Sequence, residues 1–215
     1  LYTQGQQIKV FSQVYKKCMY ENRVVETDGY IPKDNESYTG AYVFDPVPGL
    51  YDMVVSFDFS SLYPTTIIAY NIDYSTLVTD DRIPDEKCHI FEWEDHTGCE
   101  HDTAIRKTKP KAIICAKHKY RFLKEPKGVL PTILQNLLDA RKATNRQIEK
   151  LKEEVKEMED GEEKDNLERE ITVLDKRQLA LKVSANSMYG GMGVKRGYLP
   201  FMPGAMCTTA RGRQS

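Results

Sequence analysis

The chain has 215 residues, of which 40% are hydrophobic and 29% are charged, a composition typical of globular rather than fibrous or disordered proteins. Its formal net charge of −1 gives no bulk indication of nucleic-acid binding. No apolar run approaches the ~18 residues that span a bilayer, and no secretion signal opens the chain, so we expect an intracellular protein without a membrane segment. Five scattered cysteines favour a reducing compartment over a disulfide framework.

The N-terminal part of the chain alternates between predicted helix, turn and strand. Apolar residues at roughly helical spacing predict a helix over residues 5–20. Residues 27–40 are rich in Asp, Gly, Pro and Asn, which predicts turns. The stretch "AYVFDP" (residues 41–46) then predicts a short strand. "MVVSFDF" (residues 53–59) is β-branched and aromatic, which predicts a buried strand.

Asp58 lies in the middle of that predicted buried strand. Burying an unpaired carboxylate costs several kcal/mol or forces it to become neutral, so the side chain needs a partner. A helix cap, an arginine and a metal ion are the three candidates.

The stretch "SSLYPTTIIAYN" (residues 60–71) predicts a turn followed by a short helix. Ser60 or Ser61 is expected to cap that helix. Pro64 suits its first turn, where a backbone N–H has no partner within the helix.

Residues 79–127 carry segregated charge and predict no regular element. Residues 80–102 are mainly acidic and residues 106–127 mainly basic. Such segregation marks either a phosphate-facing surface beside its counter-surface or a solvated loop that folds back on itself with paired charges. The sequence leaves both interpretations open.

The same segment contains two pairs of potential zinc ligands. Cys99 and His101 form the first pair, and Cys115 and His118 form the second. Their internal spacings are unusual for a zinc finger, so unliganded loop residues are the favoured interpretation.

A helical hairpin is predicted in the second half of the chain. Apolar residues fall three or four apart from Leu130 to about Met158, and a similar pattern runs from Leu167 to Ala185. The pattern breaks around Asp160 and the following glycine. Two antiparallel helices joined by a short break account for this arrangement.

The second predicted helix carries a cation, an amide and an aromatic ring on one face. Lys182, Asn186 and Tyr189 are spaced i, i+4 and i+7, so they share a narrow arc. This stripe suits a surface that grips a phosphate and stacks on a base, but it also suits ordinary surface residues before a glycine cap. Arg141 on the first helix is either a bidentate phosphate ligand or an exposed helix arginine.

Four stretches occur together in one order, and together they resemble the palm and fingers of a family B DNA-dependent DNA polymerase. The likeness is nearest to the polymerase delta-like enzymes of large DNA viruses, to which "KYRFLKEPKGVLP" (119–131) also points. The four stretches are "YTGAYVFDP" (38–46), "SFDFSSLYPTTI" (56–67), "KGVLPTILQNLLDARK" (127–142) and "LALKVSANSMYGGMG" (179–193).

The resemblance implies an α/β (α+β) fold made of a partial palm, with a β-sheet and short helices, and a long helical-hairpin fingers subdomain. Residues 1–127 would form the palm segment with its charged insertion. Residues 128–190 would form the fingers, and residues 191–215 would return into the palm. No "DTD" motif follows the fingers in this sequence, so we expect the chain by itself to be inactive.

The resemblance also implies roles for individual residues in template-directed DNA synthesis. Asp58 would be the catalytic carboxylate and would bind two Mg²⁺ ions together with Phe59. The residues implied in nucleotide binding are Phe59, Ser60, Ser61, Leu62, Tyr63, Arg141, Lys182 and Asn186. The residues implied in DNA binding are Tyr38, Gly40, Ala41, Tyr189 and Gly190.

The implied partners are primer–template DNA, deoxynucleoside triphosphates and a sliding-clamp processivity factor, with the host nucleus or cytoplasm as the compartment of a viral enzyme. The alternative is a non-enzymatic helical hairpin that docks a partner or nucleic acid. That alternative accounts for residues 130–187 but leaves "DFSSLYP" without a purpose.

Overall fold

The computed structural model describes residues 5–25, 38–97 and 114–215. Most of the predicted turn segment 27–40 therefore lies outside the described residues, as do Cys99 and His101. None of the described helices is long and apolar enough to cross a membrane. The elements in chain order are α1 (Gln6–Tyr20), α2 (Leu62–Ala69), a 3₁₀ turn (Asp85–Lys87), β1 (Cys88–Thr97), β2 (Ile114–Leu123), α3 (Val129–Lys156), α4 (Glu162–Met192) and α5 (Met202–Gln214).

Helices α3 and α4 form the predicted antiparallel hairpin, and α1 confirms the predicted first helix. The two hairpin helices have 28 and 31 residues and are joined across residues 157–161. Near the base of the hairpin, Leu134 of α3 and Ala185 and Met188 of α4 are almost fully buried in the core. The division of the chain into palm and fingers at residue 128 stays a prediction.

Strands β1 and β2 correct the expectation that residues 79–127 are irregular. They pair antiparallel, with Glu92 opposite Lys119 and Glu94 opposite Lys117. The carboxylates lie 2.9 and 2.8 Å from the respective ammonium groups. Of the two interpretations of the segregated charge, the fold-back with paired charges is therefore observed for the described residues. In these strands, charged residues on one face alternate with Trp93 and other aromatic residues on the other face. The high density of charge made this two-residue alternation difficult to recognise in the sequence.

The strands predicted over residues 41–46 and 53–59 are wrong for this structure. Residues 41–60 form neither helix nor strand and are exposed; Phe57 has 93% of its surface accessible. A strand needs a neighbour that takes its backbone N–H and C=O groups, and no described strand pairs with this segment. Asp58 is consequently exposed, so the cost of a buried carboxylate does not arise here.

Helix α2 confirms the predicted short helix, with Pro64 in its first turn. The expected side-chain cap is absent: neither Ser60 nor Ser61 caps it, and Ser61 at the N-cap position has left-handed φ and ψ of 58° and 49°. Capping side chains normally sit on extended backbone and accept from the second or third helical N–H. Here the third helical residue is Pro64, which has no N–H to donate.

Asp73, which has 1% of its surface accessible, joins the segment after α2 to the start of α3. Its Oδ1 accepts a hydrogen bond of 2.8 Å from the backbone N–H of Leu130. Its Oδ2 accepts bonds from the backbone N–H and the hydroxyl of Ser75 at 3.0 and 2.6 Å. The carboxylate thus supplies the acceptor that a helix N-terminus requires, from a distant part of the sequence.

Asn71 adds a second connection at the same point. Its amide nitrogen donates to the carbonyls of Leu123 and Pro126 at 2.8 and 3.0 Å, and its oxygen accepts from the N–H of Gly128 at 2.8 Å. Gly128 also approaches Asp73 so closely that an added Cβ would lie 2.5 Å from the aspartate Cβ. Every buried side-chain polar atom of the described residues has a hydrogen-bond partner.

Replacing Asp73 by alanine should destabilise the chain. The change leaves the buried N–H of Leu130 without an acceptor and removes the contact of Asp73 with Ser75. We expect the free energy of unfolding to fall by about 1–3 kcal/mol, the cost of leaving the buried Leu130 N–H without an acceptor. Urea unfolding followed by circular dichroism measures this. The exposed Asp52→Ala is the control, and an equal loss in both variants would contradict the role of Asp73.

Candidate functional site

An open cleft of about 540 Å³ lies between the start of α2 and the middle of α3. It brings together Ser60, Ser61 and Arg141, three of the residues predicted to bind a nucleotide. The full lining is Ser60, Ser61, Thr65, Leu138, Asp139, Arg141, Lys142, Asn145, Arg146 and Glu149.

The α3 wall of the cleft is predominantly basic. Arg141, Lys142 and Arg146 line it, and no carboxylate of the described residues forms an ion pair with any of them. Arg141 is partly buried, and its Nε donates a hydrogen bond of 3.2 Å to Oε1 of Gln178 on α4. The guanidinium is therefore oriented by the opposite helix. Asp139 and Glu149 also line the cleft, so its cations exceed its carboxylates by one.

Lys182 and Asn186 follow Gln178 along α4 by one and two turns. Both are exposed and lie outside the lining of the cleft. Their predicted common face with Tyr189 is present, since α4 continues without interruption to Met192. Gln178 was not identified from the sequence. Its position four residues before Lys182 places it on the same helix face, and this spacing was the available signal.

Asp58 and Phe59 directly precede the cleft, in the exposed segment that leads to Ser60. They do not line it. Within the described ranges, no group of three or more His, Cys, Asp or Glu side chains is arranged to hold a metal ion. A metal at Asp58 would need further oxygen ligands from beyond the side chains of this region.

The ring of Tyr63 packs against the ring of Tyr189, with centroids 4.4 Å apart. On another side Tyr63 closely approaches Gly212 of α5, where an added Cβ would lie 3.0 Å from the Tyr63 ring. Burial and a hydrogen bond with the Tyr38 hydroxyl raise the pKa of Tyr189 well above its usual range. Tyr63 is thus a partly buried ring with contacts to α4 and α5. Gly212 carried no sequence signal, because the contact joins distant parts of the chain.

The residues predicted to contact DNA are brought together only in part. Tyr38 is close to Tyr189 and also approaches Gly193, where an added Cβ would meet the Tyr38 hydroxyl at 2.5 Å. The carbonyl of Gly40 accepts a hydrogen bond of 3.0 Å from Arg213. Ala41 and Gly190 are exposed, with no contact that assigns them a role.

The proposed pairs of zinc ligands lie mostly outside the described residues. Of the four, only the side chain of His118 is described, and its Nε2 lies 3.2 Å from a carboxylate oxygen of Asp95. Zinc binding by these residues therefore stays the less favoured of the two interpretations.

Comparison with known proteins decides the family. The model of DNA polymerase family B matches residues 1–215. The chain belongs to DNA polymerase family B. The resemblance inferred from the four sequence stretches is confirmed, and so is the mixed α and β fold class.

The relatives of this chain within family B include polymerases of large DNA viruses and delta catalytic subunits, in agreement with the resemblance inferred from the sequence. The chain is 50% identical to "DNA polymerase 120R" of Invertebrate iridescent virus 3, covering 99% of this chain and 22% of the relative. It is 38% identical to the "DNA polymerase delta catalytic subunit" of Candida albicans, covering 100% of this chain and 18% of that protein.

A solved structure shares the fold. The family B DNA polymerase from the hyperthermophilic archaeon Pyrobaculum calidifontis matches with a TM-score of 0.60 and 26% identity over 98% of this chain and 23% of its own. This chain therefore spans less than a quarter of the length of that polymerase.

Proposed function

We propose that this chain carries the incoming-nucleotide side of the active site of a DNA-directed DNA polymerase that replicates viral DNA. The observation that carries the proposal is the basic cleft in which Ser60 and Ser61, before α2, face Arg141 of α3. Deoxynucleoside triphosphates and primer–template DNA are the substrates. A sliding clamp and the nuclear or cytoplasmic compartment stay predictions from the family resemblance.

The triphosphate is the group that this cleft suits best. The first N–H groups of α2 have no acceptor within the helix, and a helix N-terminus attracts anions. Pro64 lacks an N–H, so Leu62 and Tyr63 supply the donors of the first turn, beside Ser60 and Ser61. Arg141 faces this edge across the cleft and grips phosphate oxygens through its planar fork.

The fingers complete the grip. Lys182 and Asn186 lie on the α4 face that continues from Gln178, the residue that orients Arg141. A closing movement of the α3–α4 hairpin would bring this face over the bound nucleotide and exclude water. We assign Lys182 to the phosphates and Asn186 to the same nucleotide.

Asp58 and Phe59 fit as part of a magnesium site. Mg²⁺ prefers a small number of carboxylate and carbonyl oxygens, with substrate phosphates and water filling the remaining positions. The exposed Asp58 carboxylate and the carbonyl of Phe59 precede the triphosphate cleft directly. When bound, two such ions neutralise charge on the attacking and leaving oxygens of nucleotidyl transfer. The residues of this chain hold and orient the triphosphate for that reaction.

Tyr63 is proposed to select deoxyribose by steric exclusion. Its ring packs against Tyr189 and lies close to Gly212, and these contacts restrict its movement away from an extra hydroxyl on the sugar. Tyr189 and Gly190, together with Tyr38, Gly40 and Ala41, are proposed to face the nascent base pair and the DNA.

The Asp58→Asn substitution should abolish turnover in a full-length polymerase that carries this segment, because the neutral amide lacks the negative charge with which the carboxylate holds Mg²⁺. Loss of an outer-shell partner already costs ~10–100-fold in many metal sites, so we expect a larger loss here. DNA affinity should change little, since phosphate contacts dominate it. Primer extension and a DNA-binding titration measure the two effects. Asp52→Asn is the matched control, and a parallel loss of DNA binding would indicate a structural role for Asp58.

Arg141→Ala should lower kcat/KM for the incoming nucleotide by about 10–150-fold. This corresponds to the ~1.5–3 kcal/mol of a charge-assisted hydrogen bond. Lys182→Ala should act in the same direction. Lys150→Ala, which removes an exposed cation further along α3, is the control and should have no effect. An unchanged kcat/KM for the incoming nucleotide in Arg141→Ala would show that Arg141 is an ordinary surface arginine and does not bind the phosphates.

Tyr63→Ala should retain substantial activity with deoxynucleotides and incorporate ribonucleotides much more readily, because exclusion by a rigid ring needs no hydrogen bond. The ratio of kcat/KM for the two sugars, together with Tm, tests this. Tyr70→Ala, just after the same helix, should lower Tm without changing the ratio. If Tyr63→Ala lowers activity with both sugars alike, Tyr63 is only a packing residue.

A further inference from the structure

The carboxylate of Asp95 is held within the β1–β2 hairpin and is largely shielded from solvent. Its side chain is 13% exposed. The Nε1 of Trp93 donates a hydrogen bond of 3.1 Å to its Oδ2, and Nε2 of His118 lies 3.2 Å from the same oxygen. The His118 ring stacks on Trp93 with centroids 4.8 Å apart. The hairpin thus fixes the direction of this carboxylate.

Its other oxygen faces Arg213 at the end of α5. Oδ1 of Asp95 lies 3.7 Å from Nη2 of Arg213, whose side chain is 18% exposed. The other terminal nitrogen, Nη1, donates to the carbonyls of Thr39 and Gly40 at 2.7 and 3.0 Å. One guanidinium therefore connects the hairpin to the backbone at residues 39–40.

The next residue along the chain continues the connection toward the cleft. Tyr38 lies close to the hydroxyl of Tyr189, and the ring of Tyr189 contacts the ring of Tyr63. A continuous set of contacts runs from Asp95 through Arg213 and Tyr38 to the pair of rings beside the cleft.

We propose that Asp95 is a positioning residue that acts through Arg213 to hold residues 38–40, and that the β1–β2 hairpin thereby sets the placement of Tyr189 and Tyr63. The hairpin has no other role in the proposed function. The positional part stands on the contacts alone, whereas its effect on sugar selection rests on the proposed function of Tyr63.

The ion pair is suited to this role because it is shielded. Exposed pairs are screened by water and salt and contribute little, but both partners here are mostly buried. Without Asp95, the arginine retains only two neutral carbonyl acceptors and loses its fixed orientation. The segment that those carbonyls belong to would then be free to shift.

A measurement without substrate tests the positional part. In a full-length polymerase carrying this segment, 3-fluorotyrosine is placed at position 38 and its ¹⁹F signal is recorded. Asp95→Ala and Arg213→Lys should both move or broaden the signal, and the milder Asp95→Asn should do so less. Glu92→Gln, which removes an exposed charge from the same strand, should leave it unchanged. A signal that stays in place in folded Asp95→Ala and Asp95→Asn overturns the proposal.

Kinetics then test the functional part separately. The ratio of kcat/KM for deoxynucleotides over ribonucleotides should fall several-fold in Asp95→Ala and in Arg213→Ala, and the double variant should lose no more than either single one. If the ¹⁹F signal moves but the ratio does not, the positioning of residues 38–40 stands and its effect on sugar selection is refuted, whereas the gate function of Tyr63 itself is decided by Tyr63→Ala. Additive losses in the double variant refute action through Arg213.

Discussion

The hydrogen bond from the Leu130 N–H to the buried carboxylate of Asp73 determines where the helical hairpin begins. It satisfies the helix terminus with a group from a different part of the sequence, so α3 cannot shift without leaving the buried Asp73 carboxylate and the Leu130 N–H without their partners. Asn71 holds the end of β2 and the N–H of Gly128 at the same place. The start of α3, the end of β2 and the segment after α2 are therefore fixed to one another at one point.

The geometry of the cleft depends on that junction. Arg141 lies about three turns from the start of α3, so its distance from the N-terminus of α2 follows from how the two helices are joined. Gln178 then sets the direction of the guanidinium from α4. Helix α5 supplies Gly212 close to Tyr63, and Arg213, which donates to the backbone at residues 39–40. The proposed phosphate-facing and sugar-facing sides of the site thus depend on different helices.

Local patterns made part of this predictable from the sequence. The helical spacing of apolar residues in α3 and α4 can be read from the local sequence, and so can the common face of Lys182 and Asn186. The strand predicted over residues 53–59 fails because a strand depends on a neighbour that local sequence does not contain, and β1–β2 was missed because charges obscured its alternation. Contacts such as Arg141 with Gln178, or Tyr63 with Gly212, join distant positions, and a single sequence does not reveal such pairs.

The length of the hairpin gives a mechanical consequence. Helix α3 has 28 residues and so extends about 42 Å, with Arg141 about 18 Å from its anchored end. By simple lever geometry on those lengths, a tilt of about 10° at the base carries Arg141 through roughly 3 Å and the far end through roughly 7 Å. A movement that is small at the buried junction thus displaces Arg141, at the cleft, by about the length of a hydrogen bond. The free end sweeps more than twice as far through solvent, where few contacts resist it.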